Sequence, residues 1–274
     1  MRADLHTHTN ASDGFMSRDT LLKTAAARSV ECIAITDHDT MVNSYSADTD
    51  LLNVIEGCEL SGFDSERGTR AHILCYLPKD IRPLLNQFEK MKSVRNRTAE
   101  QIIEKVHVIF PEITYEKVCD KVGCGGVIYK THIMQLLMES GRTDEVYGQL
   151  YKSLFSSRYG SCYVKNTYPE AESLVKLIRE ARGIAVFAHP SVYESMELVG
   201  ELAKRGLIDG IEYNHPKNNS RDKEKISSLC EEFKLLKTGG TDYHGQGNVG
   251  EAKLGDCLTD EDELERLMYI SETK

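Results

Sequence analysis

The sequence lacks any apolar run close to the roughly 18 residues that a transmembrane helix requires. Its first eight residues lead straight into charged and histidine-rich sequence, without the apolar segment of a cleavable secretion signal. These absences argue against contact with a membrane and predict a cytoplasmic protein.

Paired cysteine motifs are also missing. The sequence has 8 cysteines, and no two of them form a C-x-x-C pair, which argues against a cysteine-based zinc ribbon or a redox dithiol. Their wide scatter predicts reduced thiols. They are Cys32, Cys58, Cys75, Cys119, Cys124, Cys162, Cys230 and Cys257.

The sequence also has fewer positively than negatively charged residues. With 34 Lys and Arg against 43 Asp and Glu, the net charge is -9, which argues against broad binding to duplex nucleic acid. A local basic pocket for a small phosphorylated molecule stays compatible with this balance. The 274 residues suffice for one large α/β barrel or for two ordinary domains, and the sequence does not indicate an oligomeric state.

Hydrophobic periodicity predicts alternating strands and helices at both ends of the chain. Between them, from about 81 to 159, the sequence turns to long charged stretches with helical period. We therefore predict an α/β barrel formed by residues 1–80 and 160–274, with a helical insertion at 81–159. The predicted strands are Arg2–His6, Cys32–Thr36, Val54–Glu59, Ala71–Tyr76, Ile184–Ala188, Gly210–Tyr213 and Leu235–Thr238.

Histidines and carboxylates collect at these strands. Because the carboxyl ends of barrel strands converge on one mouth, we expect these side chains to meet there. Imidazole and carboxylate together suit zinc, manganese or iron, and so many donors predict more than one ion. The histidines are His6, His8, His38, His72, His189 and His244, and the carboxylates are Asp13, Asp37, Asp39, Glu59 and Asp242.

The opening His6-Thr-His8 segment has a geometric rationale. Residues two apart on a strand point to the same face, so both imidazoles can reach one ion. Taken singly, such a pair is weak evidence, and His72 or His189 alone is better explained as a core or turn histidine. Together, so many buried imidazoles and carboxylates are hard to explain without metal or pairing.

Several motifs carry a family resemblance that spans nearly the whole chain. The sequence resembles the polymerase and histidinol phosphatase (PHP) family, in particular its free-standing branch of nucleoside 3′,5′-bisphosphate phosphatases and 5′–3′ exoribonucleases. The motifs are Asp4-Leu-His-Thr-His8, Ser12-Asp-Gly14, Thr36-Asp-His-Asp39, Gly57-Cys-Glu59, Ala71-His-Ile-Leu-Cys-Tyr76, Ala188-His-Pro190, Gly210-Ile-Glu-Tyr213 and Gly240-Thr-Asp-Tyr-His244.

The resemblance implies a distorted (β/α)7 TIM-like barrel with a small helical insertion and two or three divalent metal ions. It implies one ion held by His6, His8, Glu59 and Asp242. A second would be held by Asp13, His38 and His244, and a third by His72 and His189 with Glu59 as a bridge.

The sequence departs from the family in its insertion. The usual Gly-Arg-Pro-His is here Ile128-Tyr-Lys-Thr-His132, so Lys130 stands in place of an arginine and offers a point charge instead of a bidentate fork. Leu74-Cys-Tyr76 and Gly240-Thr-Asp242 also differ from the family pattern, but they keep every ligand.

We expect hydrolysis of a phosphomonoester by in-line attack of a metal-bridging hydroxide, without a covalent intermediate. His215 and Asp242 are the candidate catalytic residues. His215 would donate a proton to the leaving group or bind phosphate. The candidate phosphate-binding residues are Arg95, Arg97, Lys130, His132 and His215, although Arg95 and Arg97 are equally well explained as a solvated helix face.

Several substrates and functions stay open. The 3′-phosphate of nucleoside 3′,5′-bisphosphates and the 5′ end of short RNA are favoured, and histidinol phosphate is an alternative. Tyr129 and Tyr163 are candidates for stacking on a base or ordinary core residues. A noncatalytic, metal-stabilised binding module is less favoured because the ligand set is complete. A metal-dependent amidohydrolase is less favoured because no suitable lysine stands at a strand end.

Overall fold

The computed structural model describes residues 1–45, 52–123, 125–245 and 251–274. Within them, one sheet contains seven strands whose spatial order is their chain order. The strands are β1 (Ala3–Thr7), β2 (Cys32–Ile35), β3 (Asn53–Asp64), β4 (Thr69–Tyr76), β5 (Ile184–Phe187), β6 (Gly210–Asn214) and β7 (Leu236–Gly239).

The helices of the described chain fall into two groups. The first covers the outside and one end of the sheet: α1 (Arg18–Ala27), α6 (Ala171–Glu180), α7 (Met196–Lys204), α8 (Ser220–Phe233) and α9 (Glu261–Thr273). The second lies between β4 and β5: α2 (Arg82–Ile109), α3 (Tyr115–Val122), α4 (Lys130–Glu139) and α5 (Gln149–Phe155).

The sheet curls into a nearly closed barrel, as predicted. The chain after β7 returns to β1, where the His8 backbone N–H donates to the Tyr243 carbonyl at 2.9 Å. The buried Asp4 carboxylate strengthens this seam by accepting from the backbone N–H groups of Thr241 and Gly255 at 2.9 and 2.8 Å. The two ends of the sheet are thus joined by the segments that carry the first and last predicted metal ligands.

One strand runs against the parallel pattern that we predicted. β4 pairs antiparallel with both β3 and β5, whereas the other neighbouring strands are parallel. The cause is local: β3 and β4 form a hairpin, with only residues 65–68 between them and no room for a crossover helix. For the same reason β3 extends to Asp64, beyond the predicted Val54–Glu59.

The barrel interior is apolar at one end and polar at the other. A buried cluster, which includes Leu5, Ile55 and Tyr76, fills the lower part, and Leu264 and Leu267 of α9 close that end. At the other end of the barrel the buried residues of the strands are polar, as at His6, Glu59 and His72. The barrel therefore has a packed apolar floor beneath a polar mouth.

The helices α2 to α5 have a hydrophobic core of their own. Ile102, Ile103 and Ile133 belong to a buried cluster that is separate from the barrel clusters. Pro83 stands in the first turn of α2, where its missing N–H costs no hydrogen bond. These helices lie where the insertion was predicted, and the division at 81 and 159 stays a prediction.

The seven described cysteines are free, in agreement with the expectation of reduced thiols, and Cys124 lies outside the described residues. In the described chain, we find no helix whose length and apolar character would let it cross a bilayer.

Candidate metal centre and substrate cavity

The first two histidines are held rigidly on β1. Both imidazoles are fully buried, and their rings lie 5.2 Å apart. Gly240 packs directly on His6, where any Cβ would overlap the His6 backbone and side chain. Only glycine fits at this position, and the chain after β7 can therefore approach His6 closely.

Four donor atoms form a compact cage at the barrel mouth. The Nε2 atoms of His6 and His8 lie 3.3 Å from Glu59 Oε2, and 3.4 and 3.2 Å from Asp242 Oδ1. Metal–ligand bonds near 2.05 Å in tetrahedral geometry put neighbouring donors about 3.4 Å apart. Both Nε2 atoms and Glu59 Oε2 are buried without a hydrogen-bond partner. These residues fit a divalent ion.

A second group of donors surrounds Asp13. Its carboxylate oxygens lie 3.2 Å from His244 Nε2 and 3.8 Å from His38 Nε2, and His8 completes the group. The other ring nitrogen of His244, Nδ1, donates to the Asp242 carbonyl oxygen at 2.8 Å. That bond puts the single proton of the neutral imidazole on Nδ1, so that Nε2 can bind a cation.

Glu59 lies at the centre of a third group. Its Oε2 lies 3.0 Å from His38 Nδ1, and its Oε1 lies 2.8 Å from His72 Nδ1 and 2.9 Å from His189 Nε2. His38, Glu59 and His72 have donor atoms close enough to share one ion. This set differs from the expected third set because it contains His38 where we expected His189, although His189 contacts the same carboxylate.

Other buried carboxylates orient these donors. Glu212 Oε1 accepts from His6 Nδ1 at 2.9 Å, while its Oε2 accepts the His189 backbone N–H at 2.8 Å. Asp37 accepts from the Thr9 N–H and the Ser12 hydroxyl, which shapes the turn that carries Asp13. Asp37 thus supports the site from outside the three donor groups.

Burial and neighbouring charge set the protonation of the donors. Burial raises the pKa of Glu59, but the surrounding histidines outweigh it and hold that pKa well below the usual range. Burial lowers the pKa of His72 to about 3. An ionised carboxylate and a neutral imidazole are the forms that bind metal. Burial also disfavours the charged form of His6, yet Glu212 and the other carboxylates raise its pKa well above the ordinary value.

Two site residues have unusual backbone geometry. Asp242 has φ of 51° and His189 has φ of 25°, in the left-handed region that residues other than glycine seldom adopt. Such backbone strain persists only where the surrounding structure holds the residue in that conformation, and it is concentrated at functional sites. Here His189 contacts Glu59, and Asp242 Oδ1 lies beside the Nε2 atoms of His6 and His8.

A cavity of about 680 Å³ opens over these donors, between the barrel mouth and the insertion. His38, His72, Asp242 and His244 line one side of it, together with Asp13. The rest of the lining combines cations, tyrosines, aliphatic side chains and the carboxylate of Glu251, and it includes Arg70, Arg95, Lys130, Tyr129, Tyr151, Tyr168 and Tyr193.

The structure brings three of the five predicted phosphate-binding residues to this cavity: Arg95, Lys130 and His215. His215 is buried, with Nε2 3.5 Å from Asp242 Oδ2. Arg95 is partly committed elsewhere, since its Nη2 donates to Asp39 Oδ2 at 2.8 Å and to Ser61 Oγ at 2.7 Å.

The other two residues lie outside the cavity lining. Arg97 is exposed on α2. His132 is buried in the first turn of α4, where its Nδ1 accepts the Tyr129 N–H at 3.1 Å. Helix geometry explains why Arg97 is exposed whereas Arg95 lines the cavity. The two residues are two positions apart on a helix and so face different directions. Of the two candidate stacking residues, Tyr129 lines the cavity and Tyr163 does not.

Sequence reasoning missed Glu212 and Arg70. Glu212 stands in the Gly210-Ile-Glu-Tyr213 motif, and a carboxylate within a buried strand signals a buried partner. Arg70 precedes His72 by two residues on β4, so strand alternation places both on the same face.

Comparison with known proteins agrees with this geometry. The PHP domain model matches residues 4–187. A phosphoribosyl 1,2-cyclic phosphate 1,2-diphosphodiesterase from Eggerthella lenta is 32% identical over 90% of this chain and 95% of its own. The 5′–3′ exoribonuclease Rnm of Salmonella typhimurium is 28% identical over 88% of this chain and 84% of its own. A solved structure of a candidate metal-dependent phosphoesterase from Bifidobacterium adolescentis is 25% identical, with a TM-score of 0.86 over 98% of this chain and 96% of its own.

Proposed function

The chain belongs to the PHP family and is a metal-dependent hydrolase of phosphate esters, and we propose that its substrate is a small phosphate ester of ribose. The observation that carries this proposal is the cavity itself. Its lining combines the donors around Glu59 with cations and tyrosines. The relatives named above act on a phosphoribosyl cyclic phosphate and on RNA, which share a phosphate ester of ribose.

We further propose two or three divalent ions, of zinc, manganese or iron, held by nine residues. The mixed imidazole and carboxylate donors favour these metals over magnesium or calcium. Ions in such a site lower the pKa of water and neutralise charge that develops on the leaving oxygen. The residues are His6, His8, Asp13, His38, Glu59, His72, His189, Asp242 and His244.

Protein groups then position and protonate the substrate. His215 lies at the cavity wall with Nε2 towards Asp242, so it can hold a proton near the leaving oxygen. Arg95 and Lys130 face the same space and attract phosphate oxygens. Tyr129, whose ring lies 4.7 Å from the Arg95 guanidinium, offers a surface for the sugar or base.

Metal analysis of the purified protein combined with phosphate release tests the proposal. The panel contains adenosine 3′,5′-bisphosphate, 5′-phosphorylated oligoribonucleotides, phosphoribosyl 1,2-cyclic phosphate and histidinol phosphate, each with added manganese. We expect turnover of at least one ribose phosphate and the greatest loss with His38→Ala. Metal-filled protein that is inactive on every ribose compound would overturn the substrate class, and exclusive turnover of histidinol phosphate would replace it.

A further inference from the structure

The insertion contacts the barrel at the segment that carries His38. Tyr129, which directly precedes α4, is buried, and its hydroxyl donates to the His38 carbonyl oxygen at 3.0 Å. The centres of the two rings lie 6.2 Å apart, and the ring planes meet at 23°. Arg95 of α2 holds the next residue, because its Nη2 donates to Asp39 Oδ2 at 2.8 Å. Two consecutive residues of the barrel mouth are thus held by two residues of the insertion.

The two insertion residues also contact each other. The guanidinium carbon of Arg95 lies 4.7 Å from the centre of the Tyr129 ring, which is a cation–π distance. Arg95 makes a second hydrogen bond to the barrel, from Nη2 to Ser61 Oγ of β3 at 2.7 Å. We name the contacts of Tyr129 and Arg95 with His38 and Asp39 the clasp. The clasp joins two separate parts of the insertion to one short segment of the barrel.

The segment after β2 depends on contacts from both sides. On the barrel side, the Asp39 N–H donates to the Glu59 carbonyl oxygen at 2.9 Å, and the Glu59 N–H donates to the Asp37 carbonyl oxygen at 3.2 Å. Asp39 has φ of 54°, in the left-handed region, and such a conformation persists only where neighbouring contacts hold it. On the insertion side, Tyr129 supplies a donor for the His38 carbonyl. Loss of the Tyr129 hydroxyl should therefore loosen the backbone that carries the imidazole.

His38 takes part in two of the three donor groups. It belongs to the group around Asp13 and to the group that contains Glu59 and His72. The compact cage that contains His6 does not include it. A change that displaces only His38 should therefore weaken ion binding at two groups and spare the cage.

We propose that Tyr129 is a positioning residue for the metal centre, which holds His38 in its ligand conformation and so couples docking of the insertion to ion binding. The insertion has a buried cluster of its own, so it can keep its fold while its contacts with the barrel change. Such coupling is reciprocal, because the factor by which docking strengthens ion binding is also the factor by which the ions strengthen docking. This inference rests on the ions of the proposed function and is independent of the substrate.

Zinc titration of the metal-free, full-length protein, followed by native mass spectrometry, tests which ions depend on Tyr129. His38→Ala identifies the ions that His38 holds. Tyr129→Ala should weaken these same ions about 10- to 100-fold, as is usual when a residue that orients a ligand is lost, and should retain the ion of the cage. Tyr129→Phe loses only the hydroxyl and should weaken them about 3- to 10-fold. The matched control is Tyr159→Phe, because Tyr159 is exposed on the insertion and outside the cavity lining.

Two results of this titration would contradict the proposal. The first is wild-type zinc affinity in both Tyr129 variants. The second is an equal loss of all ions, which would indicate a general loss of structure instead of a displaced His38. Hydrogen exchange measures the reciprocal effect: zinc should slow exchange in the first turn of α4 in the wild type, and slow it less in Tyr129→Phe. Exchange there that does not respond to zinc would rule out the coupling.

NMR spectra of labelled histidines in the metal-free protein separate this proposal from the proposed function. In Tyr129→Phe the ring resonances of His38 should shift, whereas those of His189, whose ring contacts Tyr193 instead, should stay in place. Wild-type protein that binds no zinc would refute the proposed ions, and the His38 resonances would still decide whether Tyr129 holds this ring. Unchanged His38 resonances would overturn the positioning role in either case.

Discussion

The two walls of the cavity differ in how their charges are balanced. On the barrel wall, donors meet one another within a few ångströms, as at Glu59, and Glu212 fixes the ring of His6. Elsewhere in the lining, Arg70 of β4 and Lys130 of α4 form no ion pair with a carboxylate of the described residues, whereas Arg95 pairs with Asp39. The difference indicates that the metal donors are preorganised for cations, whereas the cationic part of the lining suits an anionic group of the substrate.

Removing Glu59 should have the largest effect, because its two oxygens contact donors of all three imidazole and carboxylate groups. We expect Glu59→Gln to lose bound metal and to lower kcat/KM by about a thousandfold or more, the equivalent of several kcal/mol of charge stabilisation. Metal content by mass spectrometry and phosphate release measure both. Glu66→Gln, in the exposed hairpin turn, is the control, and full metal content in Glu59→Gln would refute the central role.

The ion pair between Arg95 and Asp39 joins the insertion to the barrel and should matter mainly for stability. Both side chains are buried, so Arg95→Met leaves an unpaired carboxylate and should lower the free energy of unfolding by about 3–5 kcal/mol. Urea denaturation measures this. Adding Asp39→Asn should recover part of the loss. Equal stability of wild type and Arg95→Met would contradict a stabilising role for this ion pair.

Substitution of Glu212 tests whether its hydrogen bond to His6 holds that metal donor in place. Glu212→Ala leaves His6 Nδ1 without its acceptor, and loss of such a partner typically weakens metal binding about 10- to 100-fold. Glu212→Gln should restore only part of the affinity, since its single amide oxygen can accept from His6 Nδ1 while its NH2 group would face the His189 N–H. Competition with a chelator gives the affinities. The same metal affinity in Glu212→Ala and wild type would remove Glu212 from the support of the site.

The sequence was most informative about the barrel wall and least about the wall opposite. His6, His8 and Asp242 were predictable because strand alternation and barrel topology bring strand ends together. The Arg95 pairing, the placement of Arg97 away from the cavity and the reversed β4 were not, since they depend on how the insertion docks and on a short hairpin. Strand alternation alone could have placed Arg70 on the same face of β4 as His72. Nothing in the sequence singles it out, however, because an isolated arginine belongs to no recognisable motif.

The smallest expected effect concerns pH and the cationic wall. Lys130 has a lowered pKa of about 8, with Arg70 on β4 and Arg95 on α2 as the charges that face it. Lys130 is therefore protonated below about pH 8 and loses its charge above it, so sulfate affinity should fall between pH 7 and pH 9, by about tenfold at most. Sulfate keeps a fixed charge over this range, so titration calorimetry of the metal-free protein reports on the protein groups. Lys130→Arg should flatten the profile because a guanidinium stays charged. An equally steep decline in Lys130→Arg would assign the pH dependence to another group.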